Sequence, residues 1–301
     1  MSFLLVYVII LNWNGKEDTI ECLRSVQALD YPHYQVLVVD NASSDGSPEQ
    51  IRVAFLDVEL IVNEVNLGYA GGINVGIKRA LEEGADYVLL LNNDTLVDER
   101  LLAELLKAGE SDPQIGILTP KIYYHGGTRI WFAGADKRRF PPGIAWPGHG
   151  KLDGPAYSRQ REVDYATGCG IMIKAEVLRA VGLFDTTYFM YHEDLDLCER
   201  AKRAGYKVVY VPSAKMWHKV SASTGERSAI KWYYLARYIV PFYLRYSRLS
   251  YLSLASYVAW VMIRECLKGN AEVIRPYLRG IRDGLLATRK WRVEGHPPLY
   301  R

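Results

Sequence analysis

Apolar and polar positions alternate in blocks along the first third of the chain. Leu4–Leu11 (LLVYVIIL) is an unbroken apolar run, as expected of a strand buried on both faces. Ile20, Leu23, Val26 and Leu29 then recur at helical spacing. The pattern continues as a strand over Gln35–Asp40, a helix from about Pro48, a strand over Glu59–Val62, a helix from about Gly72 to Glu83, and the apolar run of DYVLLLNNDT (86–95). Strand alternating with helix predicts parallel βαβ units with right-handed crossovers. Residues 111–165 are less regular and rich in Gly, Pro and aromatics, and read as a long loop over a site. Regular pattern returns with CGIMIKAEVLRAVGLFD and HEDLDLCERAKRAGYKVVYVP.

After about Gly225 the character changes: Tyr, Trp, Leu and Arg dominate. The expected organisation is therefore an α/β domain over 1–225 and a helical extension over 226–301. Charge sharpens that division. The net +3 of the 301 residues splits into 23 Lys+Arg against 30 Asp+Glu over 1–226, and 14 against 4 over 227–301. A basic tail points to an anionic partner. So many Leu, Ile and Val beside the arginines argue against nucleic acid. The longest uncharged stretch, Leu249–Ile263, falls short of the roughly 20 apolar residues that span a bilayer. An interfacial helical segment on an anionic membrane surface fits both constraints. Packing on the core, or pairing of subunits in a homodimer, is the other use for such helices.

Composition adds limits. With 49% hydrophobic and 12% aromatic residues, a large core is available. Cys22, Cys169, Cys198 and Cys266 form no C-x-x-C pair, which argues against a zinc site or disulfide framework and for a reducing compartment. The apolar start lacks the basic region and cleavage site of a signal peptide, and reads as a strand.

Three polar loops follow strands and would gather at one edge of a parallel sheet, where such sheets bind ligands. They are ILNWNG with Asn12 and Asn14, VVDNASSDGS with Asp40, Ser43 and Asp45, and LLLNNDT. NLGYAGGINVGI is a glycine-rich helix entry; Gly71 and Gly72 at its N-terminus would admit close approach of an anion. It is not the G-x-G-x-x-G of dinucleotide folds.

In that order, VVDNASSDGS, NLGYAGGINVGI, LLLNNDT, GCGIMIKAEVLRAVGLFD and YHEDLDLCERAKRAGYKVVYVPSAKMWH closely resemble the inverting family 2 glycosyltransferases of GT-A fold, in particular their rhamnosyltransferase-like branch. The likeness spans residues 4 to about 220. It implies an α/β fold with one Rossmann-like, mostly parallel sheet flanked by helices. It also implies transfer of a sugar such as L-rhamnose from a dTDP- or UDP-sugar to a lipid-linked or cell-surface glycan. Asn92, Asn93 and Asp94 occupy the family's D-x-D positions, with Asn at the first acid. Asp94 is then the expected ligand of Mn2+ or Mg2+, a hard oxygen donor for a hard cation, and His218 a second one. Leu11, Asn12, Asn14, Asp40, Asn66, Gly72, Asn74, Asn92 and Asn93 fall in the nucleotide-sugar-binding motifs. Asp194 is the expected base, its proton affinity raised by the crowding of Glu193 and Asp196. Tyr188, Phe189, Tyr191 and Glu193 fall where the acceptor binds. Such an enzyme would be cytoplasmic and peripheral on the inner face of the cell membrane. Two other readings remain. A sugar-1-phosphate nucleotidyltransferase would need a glycine-rich loop and Lys after the first strand, which ILNWNGKED does not supply. A non-catalytic scaffold of the same fold is conceivable from Asn92.

Overall fold

The structure, a computed structural model, describes residues 3–138, 143–220, 228–247 and 250–293. It begins with β1 (Val6–Asn12), α1 (Lys16–Gln27), β2 (Tyr34–Asp40), α2 (Ser47–Ala54), β3 (Glu59–Val62), α3 (Gly68–Glu82) and β4 (Tyr87–Asn92). All four strands are mutually parallel in the order β4-β1-β2-β3, the arrangement that the alternating pattern predicts. Val6, Val8–Ile10 and Val88–Leu91 are wholly shielded from solvent and Tyr7 nearly so, which is why both strands read as unbroken apolar runs. Every β1–β2 partner is in register to the end, so Asn12 lies opposite Asp40 and Leu11 opposite Asn92 of β4.

The middle of the chain departs from the sequence expectation. Residues 111–165 are not one loop: after β5 (Thr95–Val97) and α4 (Leu101–Gly109) comes β6 (Ile115–Tyr124), ten residues and almost entirely buried. Pro120, Lys121 and the terminal tyrosines interrupt its apolar pattern, yet Lys121 is enclosed because Asp153 neutralises it. Short strands β7 (Ile130–Phe132), β8 (Asp136–Arg138), β9 (Gly143–Ala145) and β10 (Arg161–Glu162) follow. Then come β11 (Gly170–Lys174), α5 (Ala175–Val181), α6 (Glu193–Arg203) and β12 (Lys207–His218). The sheet continues past β4 as β11-β6-β12-β10, with β11 antiparallel to both neighbours and β12 parallel to β6.

The described chain divides into two compact units. The first holds residues up to Asp136, Trp146–Thr187 and Glu193–Val220. The second gathers Lys137–Ala145, Tyr188–His192 and the C-terminal segment. Within the second, α7 (Ala229–Tyr246), α8 (Ser250–Leu267) and α9 (Ile274–Val293) pack on one another. α9 approaches α7 so closely that a Cβ on Gly280 would meet the Tyr233 carbonyl oxygen, and one on Gly284 that of Arg237. Among the described residues, no helix is long and apolar enough to cross a membrane.

Candidate active site

Asn12, at the end of β1, ties three strand-end loops together. Its amide nitrogen donates to Asp40 Oδ2 at 2.6 Å and Ser43 Oγ at 3.2 Å. Its carbonyl oxygen accepts from Thr19 Oγ1 at 2.8 Å, Asn93 Nδ2 at 3.0 Å and the Gly15 N–H at 3.3 Å. Because these polar atoms are spent within the protein, Asn12 organises the edge on which Asp40 and Asn93 are presented. Asp40 also accepts from the Ser43 N–H at 2.8 Å, which closes its loop. Asn14, at a left-handed φ of 51°, accepts from the Ser44 N–H.

Asn41 does the same work in the neighbouring loop, and sequence reasoning missed it. Its side chain bonds the Gly68 carbonyl oxygen, Asn66 Oδ1 and Asn63 Nδ2, which fixes the entry to α3. The signal was its place directly after Asp40, where a run of short polar residues hides a buried one. α3 starts at Gly68, not near Gly72, so Gly72 is inside the helix rather than at its open N-terminus. A Cβ there would lie 2.6 Å from Leu11 Cδ1 and 2.8 Å from Asn41 Nδ2. Glycine therefore serves close packing of helix on strand, which corrects the reading of an anion approaching Gly72. Asn74, also in α3, clamps both the N–H and the carbonyl of Phe184.

Beyond Asn92 and Asn93 comes Asp94. The short strand β5 pairs antiparallel with the end of β12, placing His218 opposite Thr95. Asp94 Oδ1 and His218 Nε2 consequently lie 3.1 Å apart, both residues buried. Asp94 Oδ1 meets His218 Nε2 as an ion pair, and His218 Nδ1 is buried without a hydrogen-bond partner. Burial opposes a charged imidazole, but the neighbouring Cys169 and Asp94 override it and push His218 up to about 10. A bound cation would have to displace the imidazole proton; the carboxylate and the neutral imidazole would then be a donor set suited to Mn2+ or Mg2+. Among the described residues no group of three His, Cys, Asp or Glu gathers to hold a metal alone. Oxygens of a bound diphosphate would have to complete such a shell.

The E-D pair opens α6. Asp194 Oδ2 accepts from the Gly168 N–H at 2.9 Å and Oδ1 from the Leu195 N–H at 2.8 Å. Burial raises its pKa against the pull of those donors. Burial raises Glu193 much further, reinforced by the Asp194 charge, and Glu193 Oε2 has no hydrogen-bond partner. Crowding by Asp196 is not the cause for Asp194, as the sequence suggested: Arg200 Nε bonds Asp196 Oδ2 at 2.8 Å and neutralises it. The preceding Tyr191 and His192 both adopt left-handed backbone, φ 68° and 71°, a strain that a surrounding structure must enforce. Tyr188 and Phe189 belong to the second unit, where their rings lie 5.6 Å from Tyr238 and 5.5 Å from Tyr234. Tyr188 is buried there, while Phe189 and Tyr191 keep partial exposure.

Residues 7–182 match the family described as Glycosyl transferase family 2. The chain is 31% identical over 217 residues to an N-acetylglucosaminyl-diphospho-decaprenol L-rhamnosyltransferase of Mycobacterium tuberculosis, covering 64% of this chain and 69% of that one. It is 25% identical to the low-salt glycan biosynthesis hexosyltransferase Agl10 of Haloferax volcanii, over 92% and 90% of the two chains. The mannosyltransferase PcManGT of Pyrobaculum calidifontis, solved with GDP-Man and Mn2+, superposes with a TM-score of 0.60 at 18% identity, covering 97% of this chain and 88% of that one. That last likeness is one of fold.

Proposed function

The chain belongs to glycosyl transferase family 2 and is a glycosyltransferase, and from that premise we propose that it moves a hexosyl or deoxyhexosyl unit, with inversion, from a dTDP- or UDP-sugar to a lipid-linked or cell-surface glycan. L-rhamnose is the first candidate sugar, supported by the activity that names the mycobacterial relative. The observation that carries the reading is the buried Asp94–His218 pair, 3.1 Å apart, beside the loops that Asn12 holds together.

In this reading Leu11, Asn14, Asp40, Asn66 and Asn92 line the nucleotide-sugar site, while Asn12, Gly72, Asn74 and Asn93 keep its walls in place. Asp94 and His218 would hold Mn2+ or Mg2+, which supplies positive charge to the departing diphosphate. Asp194 takes the proton of the acceptor hydroxyl as that oxygen bonds to the anomeric carbon and the bond to the diphosphate breaks. Its two backbone donors favour the anionic form, and burial keeps it basic enough to accept the proton. Burial beside Asp194 favours the neutral form of Glu193. Tyr188, Phe189, Tyr191 and Glu193 contribute to acceptor binding.

The enzyme works at the inner face of the membrane. Supporting this, Arg275, Arg279 and Arg282 share an α9 stripe with Leu278, Leu285 and Leu286, all three leucines exposed. Arginines among exposed leucines suit anionic lipid better than water alone. The deciding experiment incubates the protein with Mn2+ and a panel of UDP-, GDP- and dTDP-sugars. Release of nucleoside diphosphate supports transfer, whereas pyrophosphate-dependent exchange supports a nucleotidyltransferase. No release with any donor retires the catalytic reading in favour of a scaffold.

A further inference from the structure

Next to His218 stands a group of aromatic rings that the proposed chemistry does not use. Trp131, on β7, meets the His218 ring edge-on, with centroids 4.5 Å apart. Trp146 follows at 5.7 Å from Trp131, and His149 at 5.7 Å from Trp146, with Tyr124 at 5.9 Å from His149. Buried Phe132 supports Trp146 at 5.3 Å. Trp131, Phe132 and His149 meet Trp146 at 88°, 85° and 87°, so none of these rings stacks flat on it. Trp146 is 42% exposed.

A tryptophan this open contributes little to a core, yet its loop is rigidly built. Lys121 Nζ, itself buried, bonds both Asp153 oxygens at 2.9 Å, and Tyr123 donates to Asp153 at 2.6 Å. The Ile130 N–H donates to the Lys151 carbonyl and the Gly150 N–H to that of Ile130, each at 2.8 Å. His149 Nδ1 lies 2.7 Å from the Trp131 carbonyl oxygen, leaving Nε2 to the Tyr124 hydroxyl at 3.3 Å. The ordering cost of the loop is thus met before any ligand arrives, which is how a binding surface gains affinity.

We infer that Trp146, with Trp131 and His149, is a platform for a pyranose ring of the acceptor glycan. Aromatic faces match the C–H faces of sugars, and the inference rests on the glycosyl-transfer reading above. Exposure selects the acceptor over the donor. A donor sugar must be shielded from water to escape hydrolysis, whereas an acceptor glycan enters from solvent and leaves longer.

Saturation-transfer NMR on the full chain, with methyl glycosides of glucose, N-acetylglucosamine, galactose, mannose and rhamnose as probes, tests this without turnover. At least one glycoside should receive saturation at its ring protons from the wild type and from Trp146→Tyr. That signal should fall at least fivefold with Trp146→Ala, while calorimetric affinity for a nucleotide sugar with Mn2+ stays within twofold. Equal saturation in wild type and Trp146→Ala overturns the platform, as does no saturation by any glycoside. Nucleotide-sugar affinity that drops in Trp146→Ala assigns the ring to the donor and overturns it too. The donor panel reads the parent reaction separately, so failure of one is not failure of the other.

Discussion

Asp94 Oδ1 and His218 Nε2 stand 3.1 Å apart, and both residues are buried. Asp94 and His218 would together hold a divalent cation, which would supply positive charge to a departing diphosphate. The antiparallel pairing of β5 with β12 sets the distance between them. Removing either side chain should therefore lower cation binding rather than unfold the sheet.

For the metal, the expectation is that EDTA abolishes turnover and Mn2+ or Mg2+ restores it. Asp94→Ala should weaken Mn2+-dependent nucleotide-sugar binding at least tenfold by calorimetry. Full turnover in EDTA would remove the cation from the reaction.

For the base, Asp194→Asn keeps the side-chain shape and loses the proton acceptor. Turnover should fall on the order of 10²-fold or more, with donor affinity retained. Because burial raises the Asp194 pKa, the acid limb of wild-type kcat should lie above the ordinary value of an Asp carboxyl. Wild-type turnover by Asp194→Asn transfers the role to another group.

Glu193 gives a stability test with a definite sign. Its folded pKa is raised well above its ordinary value, so between the two values the folded chain binds a proton that the unfolded chain releases. Stability must then fall as pH rises from the unfolded value towards the folded one. Glu193→Gln keeps a neutral side chain at every pH. Thermal melts from pH 5 to 8 should show the variant gaining on the wild type as pH rises, and parallel curves would mean that Glu193 ionises freely.

At the membrane, the wild type should sediment with phosphatidylglycerol-containing vesicles at low salt and be released at high salt. Replacing Arg275, Arg279 and Arg282 together by Ala should cut the sedimented fraction severalfold. Vesicle binding that survives this replacement places the contact elsewhere.

Much of the parallel half of the sheet was legible because β1 and β4 are buried on both faces and its helices are amphipathic. Burial of β6 was not, since a proline and a lysine interrupt it and only the distant Asp153 makes Lys121 tolerable inside. The candidate site divides the same way. Asp94 and Asp194 stood out through short motifs that resemble those of the family. The pattern could not distinguish side chains facing a ligand from those consumed in holding loops, as Asn12 and Asn74 are, because hydrogen-bond partners lie far along the chain. Nor could it locate the neutralisation of Asp196, which needs Arg200 one helical turn away to point back.

The glycine contact between α9 and α7 has a consequence for the order in which the chain matures. During synthesis α7 leaves the ribosome well before Gly280 and Gly284, and its backbone-lined face stays open until they arrive. Tyr188 and Phe189, made earlier still, wait for Tyr238 and Tyr234 on that same helix. The segment leading into the E-D pair is therefore among the last to settle. A nascent chain would carry a finished parallel sheet long before that segment is in place.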